Sequence, residues 1–374
     1  MNIAIVSYYA VTNIGDRILS ETLRWMLAPH KVQIEDINGR YPYRFSGGGG
    51  KLLSKTEKWF VKHFIKRNTD EEVKQYFRNI LKKEDLIIFG GGQIADFKYT
   101  DCCRRMYDIV CIAEEYHIPI AYHAIGFAGD DYKCSNAHFF IKSINSKATI
   151  DVSVREKFAF VSDKLIIRKG IPISKVADTA VWASECYGIV KSTKTNIIGI
   201  NVIKADLINE YNYLSEANID IVDIYCSLYQ RLNDLGYTVK FFINGVDRDF
   251  GTINIIKKRL RLDDNSVASF SSGDGKSFLK MLSQFDFVIS SRLHTSICCY
   301  SLKIPTIAFA WDDKFKDFYN DIRSLDNCIN QFDDINKILN KCKSVIAIGF
   351  ESMDYDQYRQ TVKSHIDNLM KRLE

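Results

Sequence analysis

Short β-branched runs alternate with longer stretches of helical periodicity along almost the whole chain. This is the pattern of parallel sheets joined by crossover helices. In the first half, strands are expected near 2–7, 32–36, 85–89, 119–124, 149–154 and 176–178, and helices near 15–27, 71–82, 101–116, 135–144 and 156–168. The pattern restarts after Trp182, with strands near 197–203, 238–243, 267–270, 286–290 and 305–309. Helices are expected there near 219–235, 247–260, 275–284, 293–302 and 314–320, and a last one over 352–373. The expectation is an α/β protein of two Rossmann-like lobes facing a cleft. An N-terminal lobe would span 1–185, a C-terminal lobe 186–350, and residues 351–374 would form a helix packing back across both. Ligands of such sheets bind beyond the carboxyl ends of the strands, so chemistry is sought there.

One segment, 38–68, breaks the rhythm. Gly47-Gly48-Gly49-Gly50 lacks the G-x-x-x-x-G-K-[ST] phosphate-binding pattern and reads as a mobile loop rather than a phosphate cradle. Lys51, Lys55, Lys58, Lys62, Lys66 and Arg67 follow, interleaved with Leu52, Leu53, Trp59, Phe60, Phe64 and Ile65. That mixture fits a solvated helix packed on the lobe first, and peripheral contact with an anionic membrane surface second.

Composition narrows the class. A chain of 374 residues points to two domains, and 46% hydrophobic with 26% charged residues excludes a disordered protein. The ten cysteines include no C-x-x-C pair, which argues against a zinc or redox motif and for reduced thiols. The N-terminus enters a strand at once, and no apolar run reaches the roughly 20 residues of a spanning helix. A cytoplasmic enzyme is expected, with the basic segment as its one route to the inner membrane face. The net charge of +5 is small for this length, favours anionic ligands only weakly, and suggests no nucleic-acid partner.

Four strand ends carry candidate chemistry. Asn13-Ile14-Gly15-Asp16 closes the first loop and opens a helix, where Asp16 can cap and Gly15 permits a tight turn. Gly90-Gly91-Gly92-Gln93 follows the strand ending at Phe89, and could leave backbone N–H groups free for an anion or a sugar hydroxyl. Arg155 follows the strand ending at Val154 and offers a planar fork for carboxylate or phosphate, although a surface ion pair would explain it equally. Ser290-Ser291-Arg292-Leu293-His294-Thr295 delivers a serine pair, an arginine and a histidine to a helix start, which favours anions. Of the seven histidines, His294 alone sits beside a cation at such a junction; His123, at a strand end, is a minor candidate and His365 reads as structural. Lys314 follows the next strand, and alone it says little.

Taken in order, Asn13-Ile14-Gly15-Asp16, Gly90-Gly91-Gly92, Val154-Arg155-Glu156, Asp178-Thr179-Ala180, Ser291-Arg292-Leu293-His294 and Lys314 resemble the polysaccharide pyruvyl transferase family. The resemblance implies a GT-B-like fold, phosphoenolpyruvate as co-substrate, no other cofactor and no metal. It implies a saccharide acceptor, such as a lipid-linked repeat-unit intermediate, with a cyclic ketal formed and phosphate released. Residue by residue, it implies His294 as general acid and Arg155 and Lys314 as donor anchors, joined by Arg292 and Ser291. Asn13, Gly15, Asp16, Gly90, Gly91, Gly92 and Gln93 would then line the acceptor side in the first lobe. Two departures stand out: Asp178-Thr179 where the family often has Asp-Pro, and the 51–67 segment, which has no counterpart. The rival reading is a GT-B glycosyltransferase using a nucleotide sugar, with Glu185 or Asp274 as its ribose-binding acid. A saccharide-binding protein without catalysis is the remaining class.

Overall fold

A computed structural model describes residues 1–9, 13–39, 70–98, 101–129, 131–207, 220–329, 334–352 and 354–374. The glycine tetrad and the basic 51–67 segment lie outside them. The chain forms two compact units: one of Met1–Val11, Leu19–Val176 and Ser364–Glu374, the other of Thr12–Ile18 and Ala177–Lys363. A division at 185 cannot express this, because Thr12–Ile18 belongs with the second unit and Ser364–Glu374 with the first.

In the first unit the strands are β1 (Asn2–Ser7), β2 (Lys31–Asp36), β3 (Leu86–Gly90), β4 (Ala95–Asp96), β5 (Ile120–Ile125), β6 (Phe127–Ala128), β7 (Thr149–Val154) and β8 (Ile173–Lys175). Six of them make one parallel sheet in the order β2-β1-β3-β5-β7-β8. Ile3-Ala4-Ile5-Val6 and Leu86-Ile87-Ile88-Phe89 are buried throughout, which is why they read as continuous apolar runs without alternation. Helices Asp70–Leu81, Cys102–Glu115 and Ser135–Ile144 cover this sheet with Val73, Phe77, Met106, Ile109 and Phe140 turned inward. Each such side chain contributes roughly 1.5–3 kcal/mol.

In the second unit β9 (Ile197–Asn201), β10 (Thr238–Phe242), β11 (Phe287–Ser290), β12 (Thr306–Phe309) and β13 (Cys328–Ile329) form a parallel sheet ordered β10-β9-β11-β12-β13. Val267 adds a single bridge outside β10, to Phe241. Counting it as a strand position gives the 3-2-1-4-5-6 order of dinucleotide-type sheets, and the first unit has the alternative 2-1-3-4-5 order with one strand added. Both units are therefore Rossmann-like. Their switch points, where ligands are bound in such sheets, fall between β1 and β3 and between β9 and β11.

The structure corrects three expected elements. The strand expected at 176–178 lies earlier, at Ile173–Lys175; Asp178 instead accepts from the Ala180 N–H at 2.9 Å and caps the 3-10 turn Thr179–Trp182. The helix expected over 156–168 is one helical turn, Phe158–Phe160, running into a π turn, Val161–Leu165. It stops there because the Asn145 side chain accepts from the N–H groups of Ile167 and Arg168 and draws the chain out. The strand expected at 267–270 shrinks to the Val267 bridge, with Phe270 packed edge-on against Phe278. A helix that the periodicity did not announce, Ile335–Ile348, packs on the second sheet, and the last helix is Tyr355–Lys371. Among the described residues no helix is long and apolar enough to cross a membrane.

Candidate active site

The second unit carries Ser291, Arg292 and His294 at the end of β11, beside its β9–β11 switch point, and Lys314 after β12. From Ser290 the chain turns through Ser291 and Arg292 into the helix Leu293–Ser301, so His294 lies in that helix's first turn. This helix packs on the Thr179–Trp182 turn. The packing sets the Asp178 carboxylate, 3% exposed, 3.8 Å from Nε2 of His294, itself 12% exposed. Gly15 abuts the ring: a Cβ at that position would overlap the imidazole, so the glycine is required by close approach. Asn13, Gly15 and Asp16 thus stand beside His294 in the second unit. Their expected assignment to the first lobe is corrected.

A directional hydrogen-bond chain fixes this segment. Asn13 donates its Nδ2 to Asp16 Oδ2 at 2.9 Å, while its Oδ1 accepts from the Gly15 N–H at 3.3 Å and from Asn244 Nδ2 at 3.1 Å. The Ile14 N–H, at the helix start, bonds to the Asn244 carbonyl. Neither Asn244 nor Asn201, at the end of β9, stands out in the sequence. An Asn-Gly pair after an apolar strand reads as a turn, and Asn201 falls inside the expected 197–203 strand.

The cations are held by carboxylates. Arg292 forks onto Asp249, with Nη2 at 2.7 Å from both carboxylate oxygens and Nε at 3.1 Å from one. Asp249 is fully buried; burial raises its pKa above the usual carboxylate value, and the adjacent guanidinium pulls it back. Lys314 pairs with Asp312 at 2.6 Å, and Asp312 also caps the helix Asp313–Asp321. Ser291 is buried, its hydroxyl bonded to Tyr225 at 2.8 Å and its carbonyl to the Trp311 indole N–H. Ser291, expected among the donor-binding residues, thus has its hydroxyl and its carbonyl engaged inside the second unit. The two acids that a nucleotide-sugar enzyme would use are also committed. Glu185 is paired with Arg359, and Asp274 caps the helix Gly275–Leu282 by accepting from the Ser277 N–H.

In the first unit Arg155 is buried beside Glu156, Nε to Oε2 3.5 Å, with its guanidinium against Gly126. Glu156 accepts from the Phe127 N–H at 2.7 Å, which holds the pair at the end of β7. The Gly90–Gly92 turn is buried. Gly91 has φ +67° and donates its N–H to the His123 carbonyl, and a Cβ there would meet Leu19. Gln93 donates to the Phe127 carbonyl at 2.9 Å. Close packing and a left-handed backbone account for the turn, and the Gly91 N–H is not free for a ligand. His123 and His365 also meet in this unit. Their rings stack, the Nδ1 atoms lie 3.1 Å apart, and His365 Nε2 is 2.7 Å from Asp151, which also pairs with Arg372.

Two Rossmann-like units, with a histidine beside a buried carboxylate in the second, define a GT-B-like α/β fold. The sequence model of the polysaccharide pyruvyl transferase family matches residues 13–313, and the chain belongs to that family. Solved structures agree on the fold. UDP-GlcNAc 2-epimerase from Methanocaldococcus jannaschii is 11% identical, with a TM-score of 0.59 over 99% of this chain and 100% of that one. UDP-N-acetylglucosamine 2-epimerase from Rickettsia bellii is 10% identical, with a TM-score of 0.55 over 100% and 96%. Anabaena Alr3699/HepE in complex with UDP-glucose is 10% identical, with a TM-score of 0.51 over 98% and 100%. A search of curated proteins finds no match.

Proposed function

We propose that the protein transfers the pyruvyl group of phosphoenolpyruvate to two hydroxyls of a sugar, within a polysaccharide or its lipid-linked precursor. The observation that carries this reading is His294, held between Gly15 and the Asp178 carboxylate at the end of the second sheet, in the same unit as Arg292 and Lys314. Histidine can hold and release a proton near neutrality. His294 gives a proton to the methylene carbon of the donor, which becomes a methyl group and leaves an oxocarbenium-like centre at C2. One sugar hydroxyl adds to C2 and returns a proton to the now neutral His294. The C2–O bond to phosphate breaks with its electron pair going to the phosphate, and the second hydroxyl adds and gives its proton to that phosphate as the ketal closes. The donor's carboxylate and phosphate require cations, for which Arg292 and Lys314 of the second unit are the proposed pair; Arg155, in the first unit, is the further cation that the family resemblance offers. The reaction would take place at the cytoplasmic membrane face if the acceptor is lipid-linked, and the basic 51–67 segment is the candidate for that contact.

The test is to incubate the purified protein with phosphoenolpyruvate and a panel of p-nitrophenyl hexopyranosides. The expected result is phosphate release together with a product whose mass is that of the glycoside plus pyruvic acid less water. Turnover of a nucleotide sugar, with none of phosphoenolpyruvate, would establish the rival glycosyltransferase reading.

A further inference from the structure

Two buried oxygens, at the end of β9 and just beyond β10, have no hydrogen-bond partner: Oδ1 of Asn201 and Oδ1 of Asn244, on residues 0% and 2% exposed. An unpaired buried carbonyl costs roughly 1–3 kcal/mol, so a fold that keeps two of them has a use for them or fills them on binding. Their orientation is set by their neighbours. The Asp16 carboxylate accepts from Asn13 Nδ2, which turns Asn13 Oδ1 toward Asn244; that oxygen can only accept, so Asn244 must present Nδ2 to it. Asn244 Oδ1 is left over as an acceptor. Asn201 directs Nδ2 at the Phe242 carbonyl, 3.4 Å away, which again leaves Oδ1 over. Asn201 closes β9 one residue past the Ile200–Ile289 pair and level with Phe242, and Asn244 lies two residues beyond β10. Through Asn13 and Gly15, this array reaches the backbone that abuts the His294 ring.

Two acceptors call for two donors. The donor substrate's carboxylate and phosphate oxygens are themselves acceptors and would be repelled by bare carbonyl oxygens, whereas sugar hydroxyls donate. We propose that Asn244 Oδ1 and Asn201 Oδ1 accept hydrogen bonds from hydroxyls of the acceptor sugar, which places acceptor recognition in the second unit with His294. The proposal rests on the pyruvyl-transfer reading above. Asn13 and Asp16 are then positioning residues, which aim Asn244 and do not touch the sugar.

The experiment compares Asn201→Ala and Asn244→Ala with the wild type in steady-state pyruvyl transfer, using the p-nitrophenyl glycosides that the wild type accepts. Asn201→Ser and Asn244→Ser serve in place of an alanine variant that does not fold. The KM for the glycoside should rise about 10-fold to 100-fold in each variant, with the KM for phosphoenolpyruvate within threefold. A glycoside KM within twofold of wild type, or constants for both substrates rising together, overturns the proposal. So does a variant altered only in melting temperature, since the oxygens would then serve a buried water. The parent reading fails separately: a wild type that releases no phosphate from phosphoenolpyruvate with any glycoside removes both.

Discussion

His294 and Arg292 are two residues apart, and the structure gives them different physical tasks. The imidazole lies 3.8 Å from Asp178 and against a glycine, an arrangement that holds a ring in place without consuming it in the core. His294→Ala should lower kcat by roughly 10²- to 10⁴-fold while leaving phosphoenolpyruvate affinity within a few fold; near-normal kcat in stopped-flow or steady-state assays would remove the histidine from proton transfer. Arg292 neutralises the fully buried Asp249, so its loss should show in stability as well as in donor binding. Arg292→Ala should cost about 3–5 kcal/mol in urea unfolding, because it leaves an uncompensated buried carboxylate. A variant as stable as wild type would mean that Asp249 is relieved by another route. The sequence made this histidine legible, since a strand, a basic residue and a helix start are all local signals. It could not reveal that Ser291 faces the Tyr225 hydroxyl, or that Arg292 is matched by an aspartate 43 positions away, because both depend on packing between distant segments.

At the scale of elements, the β/α alternation set most boundaries within a residue or two, because the buried runs of β1, β3 and β11 and the amphipathic helices are dictated by local pattern. Where that failed, a side chain from elsewhere intervened, as Asn145 does at Ile167. The last helix shows the same limit. His365 looks unremarkable in sequence, yet the 364–374 segment lies in the first unit, with His365 stacked on His123 and bonded to Asp151, and Arg372 on the same carboxylate. Burial first, and the neighbouring His365 second, hold the His123 pKa well below its ordinary 6.5. In the unfolded chain that ring takes up a proton near pH 6.5, and in the folded protein it does not, so the unfolded state binds more protons below that pH. Stability should therefore fall as pH drops from about 6.5, by at most ~1.4 kcal/mol per pH unit from this residue. Chemical denaturation at a series of pH values should show that slope, and His123→Phe should flatten it. An unchanged slope in the variant would assign the pH dependence to other groups.

For the molecule as a whole, fold and chemistry answer different questions. The two-unit architecture is shared with UDP-GlcNAc 2-epimerases at about one residue in ten identical, so it cannot by itself identify a substrate. The order of short motifs along the chain did point to the family, and residues 13–313 match it, but no motif contained Asn201 or Asn244. The donor is the quantity on which every functional statement depends. Phosphoenolpyruvate is small and anionic at both ends, which suits arginine, lysine and histidine, whereas a nucleotide sugar needs a base pocket and a ribose-binding acid. The most direct measurement is a thermal-shift titration of the purified protein with phosphoenolpyruvate alongside a panel of nucleotide sugars. Phosphoenolpyruvate at about 100 times its Kd should add roughly 2.7 kcal/mol of stability and raise Tm, while the nucleotide sugars leave it unchanged. A Tm raised by a nucleotide sugar, and unmoved by phosphoenolpyruvate, would contradict pyruvyl transfer by this protein.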